Sequence, residues 1–140
     1  MHPLFGPVER FEGENIVLVP VRSGVWLSPL SQILKKAGLN VTVATAEEHD
    51  KAMALVQVVH HFALLVLNEM FKHPDKWTTR LEAFTTKSLR KTLKNLRRIE
   101  ELIDVVEMIQ RLNPYAKEAR EHFLKLAHKL HKEFSAENNI

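Results

Sequence analysis

The first 45 residues carry two short β-branched runs separated by one helical pattern. NIVLVPV at residues 15–21 and LNVTVAT at residues 39–45 are typical of strands. Between them, SPLSQILKKAG places apolar residues at helical spacing and ends in Gly38, a common helix stop. A strand, a helix and a strand joined this closely predict a crossover unit at the edge of an α/β sheet. The unit is too small to bury both faces of its strands, which indicates a fragment of a larger fold.

From Thr45 onward the pattern is helical throughout. Thr45 and Glu48 have the spacing of a capping box, which predicts that a helix begins there. Pro74 should end that helix at about Lys72, because a residue before proline avoids the α-helical region. Further helices are predicted at about residues 77–99, with a break near Thr85 and Thr86, at residues 99–112, and from Pro114 to about Phe134.

The first long helix is apolar nearly all round, and this pattern bears on the assembly of the protein. Such a helix is normally enclosed by its neighbours, and the four predicted helices are too few to cover all of its surface. We therefore predict a homodimer, in which a second subunit covers the remaining apolar surface. The fold class that follows is mainly α with a small α/β N-terminal portion.

Composition narrows the class of protein further. The 140 residues fit one domain, or one domain and part of another. The absence of cysteine excludes disulfides, zinc–thiolate sites and cysteine nucleophiles. We find no apolar run of transmembrane length and no signal peptide pattern, so the sequence predicts a soluble intracellular protein without a membrane partner.

A basic segment, KSLRKTLKNLRR at residues 87–98, holds much of the positive charge of a chain whose net charge is only +3. Its lysines and arginines recur at three- and four-residue spacing, with leucines on the other side of the predicted helix. A solvated cationic face is one interpretation, and one or two arginines that bind a carboxylate ligand are another. A nucleic-acid partner is not expected, because the segment lacks stacking aromatics and a known binding motif.

Histidines interrupt the long apolar helix. On an ideal α-helix His49 and His60 lie near one line, whereas His61 lies about 120° away from His49. These histidines are either core or interface residues with backbone or carboxylate partners, or the lining of a polar pocket. A metal site is not expected, because His49 and His60 would be about 16 Å apart along the helix. The histidines of the last helix are interpreted as surface residues: His122, His128 and His131.

Three segments in order resemble one family, the prephenate dehydrogenases of tyrosine biosynthesis. HPLFGP at residues 2–7, an extended loop by its prolines and glycine, is similar to the family's His-Pro loop. AEEHDKAMALVQVVHHF at residues 46–62 resembles its EEHD helix, and MIQRLNP at residues 108–114 resembles a later helix end. The resemblance implies a two-domain oxidoreductase, with a Rossmann domain for NAD or NADP and a helical domain for dimerisation and substrate binding.

The resemblance also implies roles for individual residues. His2 matches the catalytic histidine, which hydrogen-bonds the ring hydroxyl of prephenate and accepts its proton. His61 and His49 match histidines associated with substrate binding. An arginine of the following helix should bind the ring carboxylate, and Arg98 is the best match, with Arg97 and Arg90 left open.

The cofactor half of such an enzyme is missing from the sequence. None of the four glycines belongs to a G-x-G-x-x-G turn, so we expect the chain to bind no cofactor and to be inactive by itself. Residues 1–45 are interpreted as the end of a truncated Rossmann domain, and residues 46–140 as a complete helical domain. Expected partners are prephenate or its product, a second copy of the chain, and the missing nucleotide-binding domain, in the cytoplasm.

Two other hypotheses stay open at this stage. The first is a helical, dimeric ligand-binding or regulatory module without chemistry, and the second is a small nucleic-acid-binding protein that uses residues 87–98. The resemblance leaves undecided the choice between NAD and NADP, the choice between prephenate and arogenate, feedback by tyrosine, and fusion to another catalytic domain.

Overall fold

A computed structural model of the chain describes residues 1–22, 24–72, 77 and 80–137. The chain divides into two compact units, Met1–Ala52 and Met53–Ile140. The first unit contains a small sheet and one helix, and the second is helical, so the fold is mainly α with a small α/β N-terminal portion, as predicted. The predicted functional boundary between residues 45 and 46 stays a prediction.

The N-terminal unit is built on a three-stranded sheet in the order β1-β2-β3. β2 and β3 are parallel, with Ile16 opposite Val41, and α1 connects them. This arrangement confirms the predicted strand–helix–strand crossover. The core of the unit contains Ile16, Val17 and Leu18 of β2. The elements are β1 (His2–Pro3), β2 (Asn15–Leu18), α1 (Leu27–Lys36) and β3 (Asn40–Val43).

The sequence predicts an extended loop for the first residues, whereas in the structure His2 and Pro3 form strand β1. This strand pairs antiparallel with β2, with His2 opposite Val17, and the amide of Leu4 donates to the carbonyl of Asn15 at 2.9 Å. The physical reason is the second edge of β2, whose backbone groups need partners that β3 on the other side does not supply. The sheet thereby fixes the position of His2.

The long helix begins at Ala46 and ends within the described residues at Lys72. It consists of α2 (Ala46–Met53), a π-helical segment (Ala54–Val59) and α3 (His60–Lys72). The sequence predicted its start and length but not the π-helical segment. The residues predicted to stop it, His73 and Pro74, lie outside the described residues. In a π-helix the backbone hydrogen bonds join residues i and i+5. The rotation of 100° per residue that was used to place the histidines therefore does not apply across this segment.

This helix also corrects the expectation that no apolar stretch approaches transmembrane length. Ala46–Lys72 has 27 residues, and its most apolar window has a mean hydropathy of 1.5. By length and composition alone such a helix could cross a membrane, although core helices of soluble proteins pass the same test. Only 22% of the window is buried within the chain, and its exposed apolar side chains include Leu55, Val56 and Val66.

The remaining helices are α4 (Lys87–Glu101), α5 (Ile103–Leu112) and α6 (Ala116–Glu137), preceded by a 3₁₀ turn (Leu81–Phe84). The predicted break at Thr85 and Thr86 is confirmed, and the Thr86 side chain caps α4 by accepting from the amide of Leu89. The third predicted helix begins at Ile103 rather than residue 99. Ile99 belongs to α4, whose buried face it shares with Leu96.

Helices α3, α4 and α5 share the main hydrophobic cluster of the C-terminal unit. Leu64 of α3, Leu96 and Ile99 of α4, and Val106 of α5 are all buried in it. Because Leu96 and Ile99 face this cluster, the cationic side of α4 faces away from it. The cluster thus orients the basic residues of α4, which include the three arginines proposed from the sequence.

Candidate functional site

Three titratable side chains meet in the N-terminal unit. His2 on β1 and His49 on α2 are in contact, with 2.8 Å between His2 Nδ1 and His49 Nε2. On its other side, His49 Nδ1 lies 2.9 Å from the Asp50 carboxylate oxygen Oδ1. The structure therefore brings together the histidines of two segments 47 residues apart, the HPLFGP and EEHD segments. Asp50 completes a continuous chain of hydrogen bonds.

The capping box at the start of α2 holds His49 in place. The backbone amide of Thr45 donates to Glu48 Oε2 at 2.8 Å, and the amide of Glu48 donates to Thr45 Oγ1 at 3.1 Å. The amide of His49 itself donates to the carbonyl of Thr45. The hydrogen bond from the Thr45 amide, followed by the one from its side chain, lowers the pKa of Glu48. The first turn of the helix, and with it His49, is thus locally determined.

The surroundings of His2 lower its pKa and so favour its neutral form. Burial lowers its pKa below the usual 6.5, and His49 and the amino terminus of the chain lower it further. Two imidazole nitrogens at hydrogen-bond distance cannot both carry a proton in that contact, so one donates and the other accepts. A neutral histidine with a lone pair is the form that a general base requires.

Asp50 is a residue of this cluster that the sequence motifs did not mark as a site residue. The signal was present in the EEHD segment, where a carboxylate directly follows His49. Within the described residues, no group of three or more histidine and acidic side chains is arranged to hold a metal ion.

His61 lies in the C-terminal unit, on the first turn of α3. Its Nδ1 is buried and, within the part of the chain that the structure describes, has no hydrogen-bond partner. Burial, and then the neighbouring His60, lower the pKa of His61. A buried polar nitrogen without a partner costs about 1–3 kcal/mol, so a ligand or a second subunit that donates or accepts there would bind favourably.

The three candidate arginines lie on α4 in the same unit as His61. Arg97 and Arg98 are exposed, and so is Arg90, whose Nη1 donates to the carbonyl of Thr85 at 3.3 Å. Their exposure is consistent both with a solvated cationic face and with a carboxylate-binding face. The histidines of α6 are exposed, which confirms their interpretation as surface residues: His122, His128 and His131.

A polar contact that the sequence did not predict supports the π-helical segment next to His60 and His61. Gln110 of α5 donates from Nε2 to the carbonyl of Val58 at 2.8 Å, and Val58 is fully buried. Arg120 of α6 donates to the side-chain oxygen of Gln110 at 3.0 Å and to its carbonyl at 2.9 Å. No sequence signal distinguishes Gln110 from a surface glutamine, because its partner is a backbone carbonyl 52 residues away.

Replacing Gln110 by methionine should lower the free energy of unfolding by about 1–3 kcal/mol. Methionine fills a similar volume but removes the side-chain donor to the Val58 carbonyl. It also removes the side-chain acceptor of Arg120, which keeps only its hydrogen bond to the backbone carbonyl of residue 110. Urea unfolding followed by circular dichroism measures the change. Exposed Gln32→Met on α1 is the matched control, and equal effects of the two substitutions would contradict the structural role of Gln110.

The lowered pKa values of His2 and His61 predict a pH dependence of stability. As pH falls through about 6.5, the unfolded chain takes up protons at these histidines while the folded chain resists them. Stability should therefore be greatest above pH 6.5 and decrease as the pH falls below it, until the folded histidines also titrate. Urea midpoints at pH 7.5 and 5.5, at one protein concentration, measure this.

The double variant His2→Gln, His61→Gln should show a weaker dependence over the same range. The variant His122→Gln, which removes an exposed imidazole, is the control. An unchanged slope in the double variant would mean that other groups cause the pH dependence.

A nicotinamide cofactor does not fit the described residues of this chain. A dinucleotide pyrophosphate needs a glycine-rich turn that opens a helix with free backbone amides. The connection from β2 to α1 instead carries Pro20, Val21 and Trp26, which line a groove of about 250 Å³. Among the described residues there is thus no dinucleotide cradle, and we assign no step of the chemistry to a cofactor on this chain.

Comparison with known proteins identifies related sequences. The family model described as "Prephenate dehydrogenase, dimerization domain" matches residues 45–139. A protein named "Probable arogenate/prephenate dehydrogenase" from Methanocaldococcus jannaschii is 33% identical over 75 residues. That match covers 51% of this chain but only 17% of the relative, so the chain spans a small part of the relative's length.

Proposed function

The chain belongs to the prephenate dehydrogenase dimerization-domain family, and on that premise we propose that it is the substrate-binding and dimerisation part of an NAD(P)-dependent prephenate dehydrogenase. The reaction is the oxidative decarboxylation of prephenate to 4-hydroxyphenylpyruvate in tyrosine biosynthesis, in the cytoplasm. The observation that carries the proposal is the 2.8 Å contact between His2 and His49, because it joins two segments on which the resemblance depends.

His2 is proposed as the residue that accepts the proton of the substrate's ring hydroxyl. Its lowered pKa favours the neutral form, which has a lone pair available at neutral pH. His61 offers a buried nitrogen without a partner to a polar group of the substrate. Arg98, with Arg97 and Arg90 as alternatives, is proposed to bind the ring carboxylate, for which a guanidinium fork is suited.

The cofactor is proposed to bind to a nucleotide-binding domain outside these residues, either in a longer polypeptide or on a separate chain. The described residues lack a dinucleotide cradle, so the chain by itself should not catalyse the reaction. The roles proposed for this chain itself are substrate binding, proton acceptance and dimerisation.

A homodimer is proposed as the assembled form. Along α3, an open groove of about 540 Å³ is lined by four apolar side chains and one acidic one, Phe62, Leu65, Val66, Glu69 and Met70. A second apolar stripe on α6 recurs every four residues, at Leu126, Leu130 and Phe134, and each of these side chains is 46% or more exposed. Exposed apolar stripes on helices fit helix–helix packing with a second copy of the chain, and so we propose no membrane partner.

Calorimetric titration with 4-hydroxyphenylpyruvate tests substrate binding on the chain itself. We expect saturable binding, weakened roughly 10- to 100-fold in Arg98→Ala, since a hydrogen bond to a charged group contributes about 1.5–3 kcal/mol. Lys94→Ala, which removes an exposed cation from the same helix, is the matched control. Loss of binding in Arg97→Ala or Arg90→Ala instead would move the carboxylate site to that arginine.

A second function is proposed as the alternative. A helical, dimeric ligand-binding or regulatory module of the same family would need neither cofactor nor proton transfer. It predicts a dimer that does not bind 4-hydroxyphenylpyruvate, so the titration distinguishes the two functions. A dimer with no detectable heat of binding would favour the regulatory module and contradict the substrate-binding proposal.

A further inference from the structure

We propose that Asp50, His49 and His2 form a directional proton relay, in which Asp50 and His49 are positioning residues that leave the lone pair of His2 on Nε2. The inference rests on the proposed role of His2 as a base and deepens it, because it names the nitrogen that acts and the residues that select it. It also gives His49 a role different from direct substrate binding.

The direction of the relay follows from the chemistry of Asp50, the residue at its end. A carboxylate can only accept hydrogen bonds, so the 2.9 Å contact with Asp50 requires the proton of His49 to be on Nδ1. In the neutral imidazole the other nitrogen, Nε2, then carries the lone pair. His49 is thereby a hydrogen-bond acceptor toward His2.

The second contact transmits this assignment to His2. Because His49 Nε2 accepts, His2 Nδ1 at 2.8 Å must donate, and the lone pair of neutral His2 is on Nε2. A histidine whose Nδ1 proton is oriented by a neighbouring acceptor presents its Nε2 as the base, which is the arrangement found in catalytic triads. Here an imidazole stands between the carboxylate and the base.

The relay also provides a path for the proton that His2 accepts. As the substrate hydroxyl transfers its proton to His2 Nε2, the electron pair of the O–H bond stays on oxygen and His2 becomes an imidazolium. Its Nδ1 proton can then pass to His49 Nε2, which returns His2 to neutrality and places the positive charge next to the Asp50 carboxylate. The carboxylate keeps its negative charge throughout, and no proton is gained or lost in the sequence.

The geometry is well supported on both sides. His2 is held by the pairing of β1 with β2, and His49 and Asp50 are held by the capped first turns of α2. The titratable groups that act on His2 are His49, to which Asp50 is joined, and the amino terminus of the chain. The planes of the His2 and His49 rings are inclined by 65°, with their centroids 5.1 Å apart. The 2.8 Å distance shows that each ring directs a nitrogen at the other.

Long-range proton–nitrogen correlation spectra of the ¹⁵N-labelled chain test the relay, because a nitrogen that carries a lone pair resonates far from one that carries a proton. In the wild type above pH 7 we expect the lone pair of His2 on Nε2 and the proton of His49 on Nδ1. A His2→Gln spectrum assigns the His2 signals. A wild-type His2 with its lone pair on Nδ1 would overturn the proposal without any further variant.

The variant Asp50→Asn tests the origin of that assignment. Asparagine has almost the same shape but can donate to His49 Nδ1, so the predominance of the Nε2 lone pair on His2 should be lost and the titration of His2 should move to lower pH. Asp104→Asn on α5 is the control and should leave His2 unchanged. Retention of the wild-type tautomer in Asp50→Asn would overturn the role of Asp50.

These measurements need no substrate and no cofactor, so their outcome is separate from that of the calorimetric titration. If the titration alone fails, the proposal that the chain binds 4-hydroxyphenylpyruvate is contradicted, while the relay stands. Failure of the relay alone would leave substrate binding in place and return His49 to a contact of the substrate.

Discussion

The variant Leu130→Glu is expected to be monomeric at concentrations where the wild-type chain is a dimer. Leu130 is 50% exposed within one chain, so glutamate there should not disturb the fold of the monomer. In the proposed dimer the carboxylate would be buried without a partner, which costs about 3 kcal/mol or more and raises the dissociation constant at least roughly a hundredfold. Sedimentation equilibrium over a range of concentrations measures the change.

The matched control is His128→Glu, two positions earlier on α6. Two residues correspond to a rotation of about 200°, so this exposed position lies on the opposite side of the helix from Leu130. A dimer that survives His128→Glu but not Leu130→Glu places the α6 stripe in the interface. If both variants stay dimeric, the α6 stripe is not part of the interface, and Met70→Glu tests the groove along α3.

The variant Leu96→Ala is expected to lower the free energy of unfolding by about 2–5 kcal/mol. Leu96 is 3% exposed and packs with Leu64, Ile99 and Val106, so truncation leaves a cavity beside these three buried side chains of three helices. Urea unfolding at a fixed protein concentration measures the loss. Leu112→Ala removes the same atoms from a side chain that is 76% exposed and should cost much less.

The Leu96 result also concerns the function of α4. Leu96 and Ile99 are buried on either side of Arg97 and Arg98, so their packing fixes the direction of both guanidinium groups. A Leu96→Ala chain that remains folded should therefore bind 4-hydroxyphenylpyruvate less tightly, if an arginine of α4 holds its carboxylate. Similar destabilisation by Leu96→Ala and Leu112→Ala would contradict the position of α4 in the core.

Local sequence patterns predicted most of the elements. The capping box of Thr45 and Glu48 predicted the start of the long helix, and three hydrogen bonds between these two residues confirm it. The β-branched runs gave β2 and β3, and the alternation of leucine and basic residues gave α4. These predictions succeed because caps and amphipathic spacing involve residues within a few positions of each other.

Predictions that depended on ideal geometry were less successful. The π-helical segment at Ala54–Val59 was missed, because ALVQVV has no residue that distinguishes it from an α-helix. The start of α5 was placed four residues early, because the apolar residues of α4 and α5 form one unbroken pattern across Leu102. In both cases the intrinsic propensities of the residues favour the alternative backbone conformations almost equally, so packing decided between them.

The sequence by itself determined the family resemblance, the identity of the histidines and the long helix that carries His49 and His61, but not the strand that carries His2. Only the tertiary structure decided that His2 and His49 are in contact, that Asp50 completes their hydrogen-bonded chain, and that Gln110 supports the carbonyl of Val58. The physical reason is the range of the interactions. A cap is determined within one turn, whereas a contact across 47 residues exists only after strand register and helix packing have placed both partners.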